Sequence, residues 1–157
     1  MPKSDPIAAN REIARRFVSG IPVTDPDETV VRSTMAADAV WEFPLAGGYG
    51  PELKAFTGPT QWNREQMIQM QLDFSKQLVA PYKLACTSLV AEGDRVVAEA
   101  EGRGISKATG RAYEQRYCFH LTLRDGLIVH GKVYQDTLHL WDIWMHTAPK
   151  DFFVDPS

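Results

Sequence analysis

The sequence predicts an α+β protein, with helices in its first half and a curved, mostly antiparallel sheet in its second half. Apolar residues recur with a helical period over most of residues 7–78, and from Tyr82 onward they recur with a period of two. Turn signals around Gly93 and at Asp125-Gly126 separate strand-like runs, as in a meander of hairpins. Helices that precede strands, rather than alternating with them, are typical of the α+β class.

The first half of the chain carries three helix patterns. Residues 7–19 have the spacing of an amphipathic helix that stops at Gly20. Residues 26–36 predict a second, short helix. A longer helix is predicted over residues 61–78, with Thr60 as its cap.

Strand patterns follow these helices, apart from one short strand that lies between them. That strand is predicted at Val40–Phe43, and the Gly- and Pro-rich residues 45–59 after it predict a long loop at the mouth of a site. The remaining strands are predicted at 82–91, 95–105, 113–123 and 127–136, and a short helix is predicted at 138–145. The third of these strands places its aromatic residues and Gln115 on one face.

Composition and charge narrow the function classes. Hydrophobic residues make up 44% and charged residues 24% of the 157 residues, as in an ordinary globular domain. The net charge of −3 argues against a nucleic-acid partner, because phosphate binding needs a concentrated basic surface. No apolar run is long enough for a membrane span, and the N-terminus lacks the apolar core of a signal peptide.

The two cysteines, Cys86 and Cys118, are interpreted as reduced thiols, which favours a cytoplasmic location. The sequence contains no serine nucleophile elbow, phosphate loop or dinucleotide fingerprint. No His, Cys and carboxylate residues have the spacing of a metal site. We therefore expect neither a cofactor nor a metal.

Two acids are candidate catalytic residues. Asp136 ends the last strand and shares a strand face with Tyr134, and desolvation in a pocket would raise its pKa toward neutrality. The alternative is a strand-end aspartate that caps the following turn. Glu101 is a second candidate, with Arg103 on the same face; its alternative is a solvated face or an ion pair at a dimer interface.

Aromatic residues supply a candidate lining for a binding pocket. A planar polycyclic ligand packs well on such side chains, although the same spacing also occurs in a plain core. The predicted substrate-binding residues are Trp41, Phe43, Tyr49, Trp62, Tyr117 and Phe119.

The order of elements, the turn at Asp125-Gly126 and the ending Tyr134-Gln135-Asp136 resemble the nuclear transport factor 2-like superfamily. The resemblance is closest to its SnoaL-like polyketide cyclase and ketosteroid isomerase-like branch. It covers residues 7–140 of a single domain spanning 1–157, with 141–157 as a tail that carries Trp141 and Trp144. It implies a cone-shaped sheet wrapped around the N-terminal helices, an apolar pocket at the open end, and a homodimer formed through the outer face of the sheet.

The branches of that superfamily differ in their acids. The two acids of the ketosteroid isomerases fall on Phe43 and Phe119 here, so the resemblance does not extend to that mechanism. Limonene-epoxide hydrolases match at Asp136 but have an Arg-x-Asp on the second strand of the meander that this chain lacks. SnoaL-type cyclases place a catalytic aspartate late in the last strand, and Asp136 fits that position.

The resemblance and this surviving acid predict a small cofactor-free enzyme that isomerises or cyclises an apolar, polyketide-like carbonyl compound. Asp136 would remove a proton next to the carbonyl, and Tyr134 or another pocket donor would stabilise the enolate oxygen. One alternative is epoxide hydrolase-like water addition by Asp136 and Glu101. Another is a non-catalytic ligand-binding or dimerisation module. The expected partners are a small apolar, cyclic or polycyclic substrate and a second copy of the chain.

Overall fold

The structure is a computed structural model that describes residues 5–21, 28–43, 61–79 and 82–145. The predicted loop at 45–59, with Tyr49, and the predicted cap Thr60 lie outside the described residues.

The described part of the chain forms a helical layer on one face of a six-stranded sheet. The helices are α1 (Pro6–Ser19), α2 (Glu28–Thr34), α3 (Arg64–Lys76) and α4 (Thr137–Met145). The strands are β1 (Met35–Glu42), β2 (Gln61–Asn63), β3 (Lys83–Glu92), β4 (Arg95–Ile105), β5 (Ala112–Arg124) and β6 (Leu127–Gln135). The sheet order is β2-β1-β6-β5-β4-β3, and β1 runs parallel to β6 whereas the other pairs are antiparallel. The predicted α+β class with a curved sheet is confirmed.

Among the described helices, none is long and apolar enough to cross a membrane.

The sheet has a buried inner face and a polar outer face. On β4, buried Val96, Ala98 and Ala100 alternate with Glu99 and Glu101, which keep solvent contact. The inner face packs against the apolar side of α1, where Ala14, Phe17 and Val18 are buried. This alternation decides which side chains can meet a ligand on the helix-covered side, because neighbouring strand residues point to opposite faces.

β1 begins five residues earlier than predicted. The sequence pattern predicted helix up to residue 36 and strand only from Val40, whereas the structure ends α2 at Thr34 and starts β1 at Met35. Met35 is aligned with Ile128 of β6, and the register then shifts before Val40 aligns with His130. Pairing with a distant strand thus overrides the local helical preference.

α3 starts at Arg64, three residues later than predicted. Asn63 accepts the backbone N–H of Gln66 at 2.9 Å, and the Gln66 side chain accepts the backbone N–H of Asn63 at 2.9 Å. This reciprocal capping box satisfies two amides at the helix start. Residues 61–63 instead pair with β1 as the edge strand of the sheet.

Candidate functional site

Five of the six predicted binding aromatics form one continuous row on the inner face, which we call the aromatic row. Ring centroids are separated by 6.1 Å between Trp62 and Phe43 and by 6.5 Å between Phe43 and Trp41. The row continues over 6.1 Å from Trp41 to Phe119 and 5.6 Å from Phe119 to Tyr117. These spacings are those of favourable aromatic pairs. The sixth predicted residue, Tyr49, lies outside the described residues.

The centre of the aromatic row is fully packed, whereas its ends retain solvent contact. Trp41 and Phe119 are buried, and Phe43, Trp62 and Tyr117 are half-buried. Trp41 lies flat against β6 because Gly131 has no side chain; a Cβ built there would overlap the indole ring. The two ends are therefore the parts of the row that are open to solvent.

At one end of the row, three hydroxyl groups meet in what we call the tyrosine cluster. The Tyr82 and Tyr117 oxygens are 2.5 Å apart, and those of Tyr113 and Tyr117 are 3.4 Å apart. Desolvation by burial raises the pKa of all three phenols above the ordinary value. The three hydroxyls therefore stay protonated at neutral pH and can donate hydrogen bonds.

Two glycines of β4 make room for this cluster. A Cβ built on Gly102 would overlap the Tyr82 hydroxyl, and one built on Gly104 would lie 2.9 Å from Cδ2 of the same ring. Tyr82 also stacks on Tyr113, with ring centroids 5.5 Å apart and an interplanar angle of 22°. The bare backbone of β4 thus fixes the position of the Tyr82 hydroxyl.

Gln115 connects the tyrosine cluster to the end of β6. This side chain is 1% exposed. Its Nε2 donates to the Tyr113 hydroxyl at 3.2 Å and to the Asp136 carbonyl at 2.8 Å. Its Oε1 accepts the backbone N–H groups of Asp136 at 3.1 Å and Arg116 at 2.9 Å. Because this buried amide is hydrogen-bonded at both ends, it holds the Tyr113 hydroxyl and the backbone of Asp136 in fixed positions.

Asp136 lies at the rim of the tyrosine cluster, with an exposed carboxylate. Its Oδ1 accepts the backbone N–H of His139 at 3.0 Å, so it caps α4, as the alternative interpretation predicted. Its charge nevertheless reaches the cluster, since it contributes to the raised pKa of Tyr113. A catalytic role for Asp136 stays a prediction.

Tyr134 and Glu101 do not face the interior. Tyr134 is 47% exposed on the outer face of β6, where its ring contacts His120 at 5.4 Å. Glu101 lies on the outer face of β4, 3.8 Å from Arg103 and 4.0 Å from Arg116. The alternation of each strand turns both side chains away from the core. Their predicted catalytic roles, and the alternative of water addition by Asp136 and Glu101, stay predictions.

Tyr82, Tyr113 and Gln115 were not predicted as site residues from the sequence. A signal existed for two of them, because Tyr113 and Gln115 were predicted on the same strand face as Tyr117. No sequence pattern indicated Tyr82, whose hydroxyl reaches the cluster only through the close approach to Gly102.

Within the described ranges, three buried polar atoms have no hydrogen-bond partner: Trp41 Nε1, Gln71 Nε2 and Ser106 Oγ. Trp41 belongs to the aromatic row on the inner face. Its indole N–H is therefore a hydrogen-bond donor on that face that has no partner among the described residues. No three His, Cys, Asp or Glu residues in the described part of the chain lie close enough to hold a metal ion.

Comparison with known proteins identifies the family. The profile of the SnoaL-like domain matches residues 14–131. The chain belongs to the SnoaL-like family. The SnoaL-like chain is also similar to a candidate SnoaL-like polyketide cyclase from Jannaschia sp. CCS1, with a TM-score of 0.70 and 18% identity, covering 91% of this chain and 96% of that one. The family predicted from the resemblance is thereby confirmed.

Two further solved structures show the same fold as this SnoaL-like chain. A candidate isomerase from Bacillus subtilis has a TM-score of 0.68 and 23% identity, covering 88% of this chain and 94% of its own. TerC, co-crystallised with polyporic acid, has a TM-score of 0.68 and 20% identity, covering 86% of this chain and 97% of its own. The search of curated proteins found no match. At these identities the similarity establishes the fold.

Proposed function

We propose that this SnoaL-like protein is a cofactor-free enzyme that isomerises or cyclises an apolar, polyketide-like carbonyl compound. The observation that carries the proposal is the aromatic row ending at the tyrosine cluster, where Tyr117 belongs to both. A planar apolar ligand packs against the accessible rings, and its carbonyl oxygen then meets hydroxyl donors.

The reaction begins with proton removal. Asp136, at the rim of the tyrosine cluster, takes a proton from the carbon next to the ligand carbonyl, and the electron pair moves onto the carbonyl oxygen as an enolate. Of the two carboxylate oxygens of Asp136, Oδ1 accepts the backbone N–H of His139, and Oδ2 has no hydrogen bond to the described residues, so Oδ2 is available as the base. A tyrosine hydroxyl of the cluster, in place of Tyr134, stabilises the developing negative charge.

Two outcomes conserve the atoms of the ligand. In isomerisation, the protonated Asp136 returns its proton to a different carbon of the conjugated system. In cyclisation, the enolate carbon forms a bond to a second carbonyl carbon of the same ligand, and the new alkoxide takes the proton. Neither outcome needs an oxidant, a reductant or a cofactor.

Names of structural neighbours support a small-molecule ligand. One neighbour is a candidate polyketide cyclase, another is a candidate isomerase, and TerC was co-crystallised with polyporic acid.

Proton exchange tests the proposal without knowledge of the product. We would incubate apolar ketones, quinones and polycyclic polyketides with the protein in D2O and follow deuterium uptake at the carbon next to the carbonyl by mass spectrometry. The wild type should accelerate uptake, and Asp136→Asn should reduce it by about a hundredfold or more. Glu101→Gln, on the outer face, serves as the matched control and should match the wild type. Equal rates for wild type and Asp136→Asn would contradict the role of Asp136.

A second candidate is a non-catalytic ligand-binding module, favoured by the capping bond that already engages Asp136. It predicts that a planar quinone quenches the tryptophan fluorescence of the wild type, and less so that of Trp62→Phe, while no ketone exchanges deuterium. Exchange with any ketone would exclude it.

We also propose that the whole chain is one SnoaL-like domain that forms a homodimer through the outer face of the sheet. Half-exposed Val40, Val90 and Tyr134 on that face support this assembly. A cytoplasmic location is consistent with Cys86 and Cys118, which are both free thiols.

A further inference from the structure

We infer that Gln71 is a specificity-determining residue, whose side-chain amide donates a hydrogen bond to a second oxygen of the ligand, away from the reacting carbonyl. The inference rests on the proposed function and deepens it by narrowing the ligand class. The site would select planar carbonyl compounds that carry oxygen acceptors at two places over compounds that carry only one.

The side chain of Gln71 is buried, and its amide nitrogen has no partner. Gln71 is 8% exposed, and no hydrogen bond joins its Nε2 to the described residues. The other two glutamines of α3 differ, because Gln66 closes the capping box and Gln69 donates to Asp73 at 3.1 Å from an exposed position. A buried amide N–H without an acceptor destabilises a fold. The missing acceptor is therefore a group that the described part of the chain does not supply.

Met67 and Ile68 show which side of α3 carries Gln71. These three are the buried residues of the helix, and they share one face because they are three or four residues apart. Met67 and Ile68 pack in the same buried cluster as Trp41, at the centre of the aromatic row. Gln71 therefore lies on the side of α3 that covers the inner face of the sheet.

The next turn of α3 covers the tyrosine cluster. Phe74, three residues after Gln71, packs edge-on against Tyr82 and Tyr113, with ring centroids 5.7 Å and 5.9 Å apart. Gln71 thus stands between the turn of α3 over the aromatic row and the turn over the tyrosine cluster. A ligand that packs along the row with its carbonyl at the cluster places its other end within this part of the interior.

A second unpaired donor belongs to the aromatic row itself. The indole Nε1 of Trp41 is buried and has no acceptor among the described residues. Amide and indole N–H groups only donate, so they complement the oxygen acceptors of a ligand. The third buried atom without a partner, Ser106 Oγ, belongs to a hydroxyl, which can also donate. The unpaired groups of the interior therefore favour a ligand with several acceptor oxygens.

A buried donor of this kind discriminates between ligands. An oxygen that accepts from Gln71 forms a hydrogen bond in a desolvated place, whereas a ligand that presents carbon there leaves the N–H unpaired. One such hydrogen bond corresponds to about a tenfold difference in affinity.

Paired binding measurements test the inference. Anthrone and anthraquinone are three-ring probes of similar shape that differ by one carbonyl oxygen. We would titrate each of them, under nitrogen, into the full-length protein and follow the quenching of tryptophan fluorescence. The wild type should bind anthraquinone about tenfold more tightly than anthrone. Gln71→Leu, which replaces the amide with an apolar group of similar size, should remove this preference.

Stability without ligand gives a second measurement. Because leucine needs no hydrogen bond, Gln71→Leu should raise the melting temperature by about 2–4 °C. If a bound water or another part of the chain already paired the amide, the same substitution would lower the melting temperature, and this result would overturn the inference. Gln69→Leu makes the same chemical change at an exposed position of α3 and should match the wild type in both measurements.

The outcomes separate this inference from the proposed function. Deuterium exchange into ketones by a wild type that binds both probes equally would overturn the role of Gln71 and leave the proposed function standing. A preference for anthraquinone that survives Gln71→Leu would assign the second oxygen to another donor and overturn the inference. Failure of both probes to bind, together with no ketone exchange, would overturn both.

Discussion

The side-chain amide of Gln115 binds both backbone polar groups of Asp136, the carbonyl at 2.8 Å and the N–H at 3.1 Å. These two hydrogen bonds replace the ones that a neighbouring strand would make at the point where β6 ends. The chain can turn from β6 into α4 without leaving those groups unpaired in a partly buried place. One buried side chain thus connects strand end, helix start and tyrosine cluster.

Replacing Gln115 with Leu should destabilise the folded protein. The two backbone groups of Asp136 would lose their partners, and the free energy of unfolding should fall by about 2–6 kcal/mol, at about 1–3 kcal/mol for each group left unsatisfied. Urea denaturation measures the change. Gln69→Leu, at an exposed position on α3, is the control and should stay close to wild type. A Gln115→Leu protein as stable as wild type would contradict the structural role.

Two substitutions of Asp136 should separate stability from chemistry. Asp136→Ala removes the cap of α4 and should lower the free energy of unfolding by about 1 kcal/mol. Asp136→Asn keeps a capping oxygen and should retain nearly the wild-type melting temperature while losing deuterium exchange. Thermal melts run beside the exchange assay check this. If the Asp136→Asn variant lost deuterium exchange only in proportion to its loss of folded protein, Asp136 would have a structural role and no catalytic role.

Gly102→Ala should disturb the tyrosine cluster, because the new methyl group would overlap the Tyr82 hydroxyl. Overpacking of this kind costs about 1–3 kcal/mol in a tightly packed site. The same substitution in a Tyr82→Leu background should cost less, because the smaller side chain relieves the overlap. A double-mutant cycle by urea denaturation measures the coupling, and additive effects would show that Tyr82 does not occupy this place.

Glu42 should make stability depend on pH. Its pKa lies below the ordinary 4.5, chiefly because of the hydrogen bond from Lys132 at 3.0 Å, with a further contribution from His130. A carboxyl with a depressed folded-state pKa stabilises the fold above its unfolded-state pKa, and this contribution disappears as the pH falls through the folded-state value.

Glu42→Gln should therefore lower the free energy of unfolding by about 0.5–1 kcal/mol at neutral pH. The difference from wild type should close as the pH drops below 4.5 and through the depressed pKa. Urea denaturation over that range measures it. Glu12→Gln, in an exposed ion pair with Arg15, should show little difference at any pH. If the difference in free energy of unfolding between wild type and Glu42→Gln did not change with pH, the ionised pair of Glu42 would be excluded as the origin of that difference.

Association through the outer face should be sensitive to charge. His120 is exposed on β5 next to Tyr134, so His120→Glu should fold normally but weaken a dimer formed there. Sedimentation velocity should show a dimer for wild type and for Glu12→Lys, on α1, and more monomer for His120→Glu. A wild type that sediments as a monomer would exclude the proposed assembly.

Sequence patterns predicted much of the site but not its orientation. Trp41 and Phe43, like Tyr117 and Phe119, are two residues apart in the sequence, which is the spacing of side chains on one face of a strand. The same period predicted one face for Asp136, Tyr134, Lys132 and His130, and Tyr134 lies on the outer face of β6, which ends at Gln135 before Asp136. The period alone does not say which of two faces is inner. Contact with the helices settles that question.

The sequence by itself determined the α+β class, the hairpin order of β3 to β6, the aromatic face of β5 and the acid where β6 ends. These follow from local periodicity, turn residues and spacing along one chain. Only the tertiary structure decided that Tyr82 lies on Gly102, that Gln115 holds Asp136, and that Glu101 faces outward. Each of these depends on register and close approach between residues distant in sequence, which are fixed when strands pair and helices cover one face.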